Sequence, residues 1–309
     1  MVTSTGQVEE AAGLLAIDKP EGWTSHDVVA RLRRLTGVRK VGHAGTLDPM
    51  ATGVLLVCLG QATRLVEYLA SQPKAYLAEV TLGSATDTYD ATGRPTQQSP
   101  APDLDVGALE AALAEFRGPL MQKPPAYSAI KQDGQPLYKR ARRGEAVETA
   151  PRPVTIYELA LLAYQDGRLR LRIRCSAGAY VRSLAHDLGQ ALGCGAHLSW
   201  LRRTAVGAFT IEQAITLEAL AQACEAHTWR SLLQPAEAAV AHLPALTLGV
   251  DEAQRLLHGQ LVARSPEHAV LAGPLRAHGL DGRLLAIVQF DAERQAWRPL
   301  KVLAAAKGW

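Results

Sequence analysis

Two periodicities meet in the stretch RLRLRIRCSAGAYVRSLAHDLGQALG, residues 168–193, and together they decide the fold class. In its first eight residues arginines alternate with aliphatic residues, and this period of two predicts a strand with one basic face. From about Ala179 onwards leucines recur at helical spacing until Gly193, which predicts a helix with a glycine stop. Strands and helices elsewhere in the chain also mix without regular βαβ alternation, so we predict an α+β catalytic body.

Towards the N-terminus, a glycine-rich loop lies between an amphipathic helix and an apolar strand. The apolar run GLLAIDKP ends at Lys19 and Pro20, and Thr24 or Ser25 can cap the helix that follows. The loop VGHAGTLDPMATG, residues 41–53, contains three glycines and one proline. Because these residues fix sharp turns just before the apolar strand VLLVCL, we predict a structured loop.

Two side chains of this loop can carry chemistry. Asp48 precedes Pro49 in a rigid loop, which is how a catalytic carboxylate is often presented. On turn statistics alone, an aspartate at such a position more often bonds the amides of its own loop in an Asx-turn. His43 lies five residues earlier, and this separation matches no common metal-ligand signature. Spacing therefore leaves both interpretations of Asp48 open and predicts no metal site.

A second candidate site lies at the junction between strand and helix, where Tyr180 and Arg182 occupy the expected first helical turn. First turns of helices often face clefts, and Arg182 could clamp a carboxylate there. The helix dipole makes a cation slightly unfavourable at this end, so both a surface arginine and a specific acidic partner fit the position. Tyr180 is as consistent with a core tyrosine as with a ring that stacks on a ligand.

A third feature is a basic segment, residues 122–144, which holds six cations and one acid. The cations are Lys123, Lys131, Lys139, Arg140, Arg142 and Arg143. Tyr127 and Tyr138 are interleaved with them, and this mixture of cations and rings is typical of nucleic-acid binding. A solvated basic helix end is the alternative.

The pattern changes near residue 245, where an alanine-rich helical stretch gives way to short segments separated by glycine and proline. We therefore divide the chain into a catalytic domain, residues 1–245, and a small β-rich domain, residues 246–309.

Composition excludes several classes of protein. The 309 residues include 33 lysines and arginines against 30 acids, and a net charge of +3 identifies no polyanionic partner by itself. No apolar run approaches the ~18 residues of a membrane span, and the N-terminus lacks the basic region of a signal peptide, so we expect a cytoplasmic protein without a membrane partner. Neither zinc-type cysteine pairs nor the glycine motifs of dinucleotide or P-loop sites occur, so we expect no metal and no cofactor.

Six motifs, spread in order over nearly all of residues 13–210, resemble the bacterial tRNA pseudouridine synthase B family. They are GLLAIDKPEGWTSHDVV, GHAGTLDPMATGVLLVCLGQATRL, KAYLAEVTLGSATDTYDATG, PPAYSAIKQDGQPLYKRARRG, CSAGAYVRSLAHDLG and LRRTAVGAF. Several separate motifs in the right order are far more specific than any one of them. The tail, through HGQLV, LDGRLLAIVQF and RPLKVL, is similar to the PUA RNA-binding module.

The resemblance implies roles for individual residues. Asp48 matches the catalytic aspartate, Arg182 the arginine that pairs with it and lowers its pKa, and Tyr180 a second active-site tyrosine. The residues implied in substrate binding are Tyr76, which stacks on the base; Leu201, which lines the base pocket; His43, which contacts the opened T loop; and Lys19 with Pro20, which support the floor of the site. One departure is Ala179, where the family usually has threonine.

The resemblance also implies the fold, a pseudouridine synthase fold around a mixed, mainly antiparallel sheet with a PUA-like domain at the end. The basic segment, extended to about residues 123–152, resembles an insertion that closes over the T stem-loop like a thumb. We call residues 123–152 the thumb segment. Its phosphate-binding residues would be Lys131, Lys139, Arg140, Arg142 and Arg143.

The implied reaction is isomerisation of U55 in the tRNA T loop to pseudouridine. The base is flipped out, the bond from N1 to the ribose breaks, and the base rejoins through C5, which requires no cofactor. Asp48 could act as a nucleophile or as a base on the ribose. We expect a monomer whose partner is the tRNA T stem-loop, with no obligate protein partner. Two other classes stay open: a non-catalytic RNA-binding protein or RNA chaperone, and a synthase acting on ribosomal or guide-directed RNA.

Overall fold

The computed structural model describes residues 11–128, 131–132, 135–137, 140, 143, 145, 149–265 and 271–303. Its strands are β1 (Gly13–Lys19), β2 (Val41–Ala44), β3 (Thr52–Leu59), β4 (Lys74–Leu82), β5 (Ser84–Thr86), β6 (Pro95–Gln98), β7 (Gly118–Gln122), β8 (Lys131–Gln132), β9 (Gln135–Pro136), β10 (Arg152–Gln165), β11 (Arg168–Cys175), β12 (Ala196–Val206), β13 (Phe209–Thr210), β14 (Ala245–Thr247), β15 (Val262–Ala263), β16 (Pro274–His278), β17 (Leu284–Asp291) and β18 (Ala296–Val302). Its helices are α1 (Ser25–Thr36), α2 (Val66–Ala70), α3 (Val106–Ala114), α4 (Val181–Ala191), α5 (Leu217–Glu225) and α6 (Val250–Leu257).

One large sheet forms the body of the molecule. Its strand order is β1-β3-β12-β4-β11-β10-β7, with β2 added beside β3 and β13 beside β12. Within the described ranges β12 and β3 run parallel, whereas the other neighbours in this sheet run antiparallel. The predicted α+β class, with a mixed and mainly antiparallel sheet, is confirmed.

The two central strands β4 and β11 show why the predicted alternation forms a sheet. Alternate residues of both strands are buried, and the buried set includes Tyr76 of β4 and its cross-strand partner Ile173 of β11. The four arginines of β11 point to the opposite, solvent-exposed face. The predicted basic face therefore exists, but it turns away from Tyr76.

Each arginine on this outer face has a local partner. Arg168 and Arg172 form ion pairs with Glu79 and Glu158. The other two arginines lie over aromatic rings: Arg170 over Trp200 and Arg174 over Tyr157. These contacts neutralise or shield much of the charge of the predicted basic face.

Helix α4 begins at Val181, two residues later than the sequence predicts. The side-chain amide of Gln122 accepts a hydrogen bond from the Tyr180 backbone N–H at 2.7 Å and donates one to the Tyr180 carbonyl at 3.0 Å. These two bonds hold Tyr180 in an extended conformation outside the helix. The chain leaves the helix through Gly193, whose φ of 74° is favourable for glycine, as predicted.

A second sheet forms the C-terminal part of the described chain, with the strand order β14-β16-β17-β18-β15. This confirms the prediction of a small β-rich unit. Its first strand already begins at Ala245. We propose that the chain divides close to this residue, as the composition indicates.

The two sheets share a hydrophobic seam. Ile287 of β17 is fully buried in a cluster formed mainly by the catalytic body, and Leu284 and Leu300 pack against the same cluster. An ion pair of 2.9 Å between Lys301 and Glu67 lies at this seam. Among the described residues, no helix combines the length and apolar composition required to cross a lipid bilayer.

Candidate active site

A cavity of about 280 Å³ opens between the loop after β2, strands β4 and β12, and the start of α4. Five residues singled out in the sequence line it together: Asp48, Tyr76, Tyr180, Arg182 and Leu201. They come from four separate elements, so the fold brings together residues up to 153 positions apart, from Asp48 to Leu201. Lys74 and Arg203, which the sequence patterns did not indicate, also line the cavity.

Helix α1 fixes the loop that carries Asp48 through hydrogen bonds of its first residue, Ser25. The buried hydroxyl of Ser25, at the start of α1, accepts a hydrogen bond from the Leu47 N–H at 2.9 Å and donates one to the Leu47 carbonyl at 3.2 Å. The backbone carbonyl of Asp48 accepts a hydrogen bond from the Ala51 N–H at 3.0 Å, and this bond closes a turn. The loop is therefore structured, as its glycines and proline predict.

Lys19 lies beneath the same loop and is fully buried. Its ammonium group donates hydrogen bonds to the carbonyls of Pro20 at 2.8 Å, Trp23 at 2.7 Å and Pro49 at 3.3 Å. Burial lowers the pKa of Lys19 to about 8, although the nearby Asp48 carboxylate opposes this shift. Lys19 thus joins strand β1 to the loop and supplies a positive charge below Asp48.

The carboxylate of Asp48 is held by Arg182. The Arg182 Nε lies 3.0 Å from Asp48 Oδ2, and Nη2 lies 3.3 Å from Oδ1, so the guanidinium grips both oxygens. The Asp48 side chain is 36% exposed and opens to the cavity, whereas that of Arg182 is only 7% exposed. Arg182 is therefore not a surface arginine, and the Asp48 carboxylate bonds across the site instead of capping its own loop.

A second carboxylate, Asp90, lies on the other side of Arg182 and was missed in the sequence. Its Oδ2 is 3.6 Å from Arg182 Nη1, and its side chain is 6% exposed. Its Oδ1 accepts hydrogen bonds from the hydroxyls of Thr88 and Thr92 and from the Thr92 N–H. The segment TDTYDATG offered one local signal, since an aspartate flanked by threonines favours an Asx-type turn, but nothing in the pattern pointed to Arg182.

Burial raises the pKa of Asp48 above its ordinary value, and the adjacent Arg182 guanidinium opposes that rise. Asp90 adds to the rise, whereas Lys19 and Arg203 oppose it. Arg182 lowers the pKa of Asp48, as expected. The loss of water around the carboxyl group raises this pKa by more, so the net shift is upward. The three cations around Asp48 favour its charged form, against burial and Asp90.

Tyr76 and Leu201 form the apolar wall of the cavity, and both are buried. Burial raises the pKa of Tyr76 to about 12, so its hydroxyl stays protonated near neutral pH. A ring and an aliphatic side chain beside the carboxylate provide an apolar surface for a flat base.

Tyr180 and His43 differ in their relation to the cavity. Tyr180 is half-buried and lines it, and burial raises the pKa of its hydroxyl. His43 lies on β2 with its ring 5.6 Å from that of His26, and it does not line the cavity. Burial lowers the pKa of His43 to about 4, so this imidazole is neutral at physiological pH.

The thumb segment is described in part. Lys139 and Arg142 lie outside the described residues, as does the side chain of Lys131. Arg140 and Arg143 both pair with Glu145, at 2.8 and 2.7 Å. The segment begins against the site, because the Tyr127 carbonyl accepts a hydrogen bond from Arg182 Nη2 at 3.0 Å.

Comparison with solved structures defines the fold. The structure described as "Crystal Structure of a Cbf5-Nop10-Gar1 Complex" matches with a TM-score of 0.75 and 30% identity, over 95% of this chain and 85% of that chain. A second, "Structure of H/ACA RNP bound to a substrate RNA containing 2'-deoxyuridine", matches with a TM-score of 0.73 and 27% identity, over 96% and 86% of the two chains.

The family models define the class. The model "TruB family pseudouridylate synthase (N terminal domain)" matches residues 33–181, and "tRNA pseudouridylate synthase B C-terminal domain" matches residues 182–241. The fold is that of a pseudouridine synthase, and pseudouridine synthases are isomerases.

Similar proteins narrow this class. A tRNA pseudouridine synthase B of Thermobifida fusca (strain YX) is 46% identical over 90% of this chain and 94% of that protein. One of Arthrobacter sp. (strain FB24) is 45% identical over 95% and 97%. The chain belongs to the tRNA pseudouridine synthase B family, as its motifs predicted.

Proposed function

We propose that this chain converts a uridine of tRNA, U55 of the T loop, into pseudouridine. The observation that carries the proposal is the two-pronged Asp48–Arg182 pair in a cavity whose apolar wall contains Tyr76 and Leu201. Identity of 45–46% to proteins named tRNA pseudouridine synthase B, against 27–30% to the two solved assemblies, supports tRNA over other RNA substrates.

The proposed reaction conserves every atom of the nucleotide. The bond between C1′ and N1 breaks with its electron pair on the base, the base turns, and C5 bonds to C1′. C5 then loses its proton, and N1 gains one. To place its base in the cavity, the target nucleotide must leave its stack, which costs a few kcal/mol that ring and phosphate contacts must offset.

Asp48 serves either route that the resemblance leaves open. As a nucleophile it would attack C1′; as a base it would remove a proton from the ribose. Deuterium at ribose C2′ distinguishes these routes. Removal of the C2′ proton by Asp48 would give a primary isotope effect on the single-turnover rate, whereas attack of Asp48 on C1′ would not. The Arg182 fork aims the same carboxylate in both cases.

The test of the function is incubation of the chain with an unmodified tRNA transcript, in the presence of a chelator, followed by mapping of pseudouridine. We expect one new pseudouridine, in the T loop, and none in a transcript that carries cytidine at position 55. Binding without modification would leave an RNA chaperone as the function. Modification confined to ribosomal or guide-paired RNA would overturn the choice of substrate.

Arg140 and Arg143 of the thumb segment are expected to contact tRNA phosphates. Replacing both by glutamine should weaken tRNA binding and flatten its dependence on salt, by up to about 0.7–0.9 log units of slope for each contact removed. Dissociation constants measured over a range of salt concentrations give this slope.

The matched control is the double variant Arg168→Gln and Arg172→Gln. These two arginines are also ion-paired to glutamates, but they lie on the outer sheet face. An equal change of slope in both double variants would show that the thumb segment has no special role in binding.

We propose that the chain acts on tRNA as a monomer. A tRNA substrate also supports the expected cytoplasmic location.

A further inference from the structure

Arg203 of β12 is almost completely buried, at 1% exposure, inside the loop that carries Asp48. Its Nε donates a hydrogen bond to the Val54 carbonyl at 2.7 Å, Nη2 to the Gly45 carbonyl at 3.0 Å, and Nη1 to the Thr46 carbonyl at 3.4 Å. These carbonyls lie on both sides of Asp48 along the chain. One guanidinium therefore ties together the two ends of the catalytic loop.

The backbone at the end of the loop packs directly against the backbone of Arg203. Gly53 is the strand partner of Arg203, and a β-carbon at Gly53 would lie 2.2 Å from the Arg203 carbonyl oxygen. Gly53 has a φ of 99°, which a residue with a side chain rarely adopts. The glycine at this position thus allows the loop to close directly against β12 at Arg203.

Arg203 also faces Tyr76. The two residues are direct cross-strand partners on β12 and β4, and both line the cavity. The Arg203 guanidinium lowers the pKa of the Tyr76 hydroxyl, against the larger rise that burial causes. The ring of Tyr76 and the Asp48 loop are therefore held by the same side chain.

A structural role alone explains poorly why this residue is an arginine. Among the described residues no carboxylate lies within ion-pair distance of Arg203, so its charge is buried against neutral carbonyls. Burying a charge without a paired ion is costly, and an apolar side chain would avoid that cost. What only arginine offers is a planar fork of five N–H groups that can hold several acceptors in fixed directions.

We propose that Arg203 is a positioning residue for the isomerisation, whose fork holds the Asp48 loop and Tyr76 in one rigid frame on either side of the base. The proposal rests on the proposed function. Arg203 acts through its neighbours: it sets the distance between the carboxylate that reacts and the ring that holds the base. Displacement of a reacting group by about 1 Å can cost 10²-fold in rate, so loss of this frame affects the chemical step more than RNA binding.

The test compares Arg203→Lys with the wild-type chain. Lysine keeps the charge but lacks the fork. We expect the single-turnover rate to fall about 10²-fold, while the dissociation constant for tRNA changes less than about threefold. The matched control is Arg202→Lys, because Arg202 is the next residue of the same strand but pairs with Asp18 at 2.9 Å and does not line the cavity. The control should retain the wild-type rate.

A double-mutant cycle with Tyr76→Phe separates positioning from a general structural effect. If Arg203 acts partly through the Tyr76 hydroxyl, the rate losses of Arg203→Lys and Tyr76→Phe will be less than additive. A rate loss in Arg203→Lys that is matched by an equal loss of tRNA binding, or full additivity in the cycle, overturns the proposal.

Two further outcomes are decisive. If neither Arg203→Lys nor Arg203→Gln yields a folded chain by circular dichroism, Arg203 is a folding determinant and the proposal is wrong. If the wild-type chain forms pseudouridine in tRNA and Arg203→Lys matches it, this proposal fails alone, whereas an inactive wild-type chain refutes the proposed function.

Discussion

Asp48→Asn is expected to abolish pseudouridine formation while tRNA binding stays within a few-fold of the wild-type value. A carboxamide has nearly the same size as a carboxylate, and its oxygen can still accept a hydrogen bond from the Arg182 fork. It is, however, neither a nucleophile nor a base at neutral pH. We expect the single-turnover rate to fall by at least about 10³–10⁴-fold, measured with saturating enzyme on an unmodified transcript.

Asp18→Asn is the control for this variant. Asp18 is also paired to an arginine, Arg202, and its side chain is also partly exposed, at 25%, but it lies outside the cavity. Its replacement removes the same charge without touching the site, so the rate should remain that of the wild type. Normal turnover by Asp48→Asn would contradict the assignment of Asp48 as the reacting carboxylate.

Arg182→Met is expected to reduce turnover nearly as strongly, for a different reason. The variant removes both bonds that aim the Asp48 carboxylate, and it removes the charge that opposes the upward shift of its pKa. The pKa of Asp48 therefore rises further. Because the reaction requires the ionised form, the acidic limb of the rate profile moves to higher pH, and single-turnover rates measured across pH will show this shift.

Arg182→Lys should recover only part of the activity. An ammonium group restores the positive charge, and hence part of the pH shift, but it cannot grip two oxygens at once. Wild-type activity of Arg182→Met at neutral pH, or a loss caused only by weaker tRNA binding, would show that Arg182 contacts phosphate instead.

Loss of Arg182 also leaves two carboxylates without their shared partner. Removing one member of a buried ion pair typically destabilises a protein by about 3–5 kcal/mol, and less where the remaining group reaches water, as Asp48 does. Combining Arg182→Met with Asp90→Asn removes the more deeply buried uncompensated charge. The double variant should unfold at higher denaturant than Arg182→Met and remain inactive, which separates the loss of chemistry from the loss of stability.

Features that depend on short-range order could be predicted from the sequence. The alternation in β4 and β11 and the glycine stop after α4 each follow from residues that are neighbours in the chain. Tyr76 lies on the buried face of β4, but only the family resemblance singled it out in the sequence. The resemblance to a family then supplied what periodicity cannot, the meeting of Asp48 with Arg182.

Features that depend on register between distant strands could not be predicted. Arg203 reaches the Asp48 loop only because β12 pairs in parallel with β3 at Gly53, and no local pattern specifies that pairing. Asp90 is turned towards Arg182 by a loop whose closure involves its own threonines. Likewise, the basic segment, residues 122–144, ends one residue before Glu145, the acid that pairs with Arg140 and Arg143 in the structure.

The burial of Ile287 in the catalytic body has a consequence for how the two sheets pack. Most buried side chains of the C-terminal sheet form a cluster of their own, but Ile287 of its central strand β17 belongs to the neighbouring cluster of the body. Conversely, the body would expose that cluster to water without the sheet. The C-terminal sheet therefore covers part of the apolar surface of the catalytic body in addition to enclosing its own core.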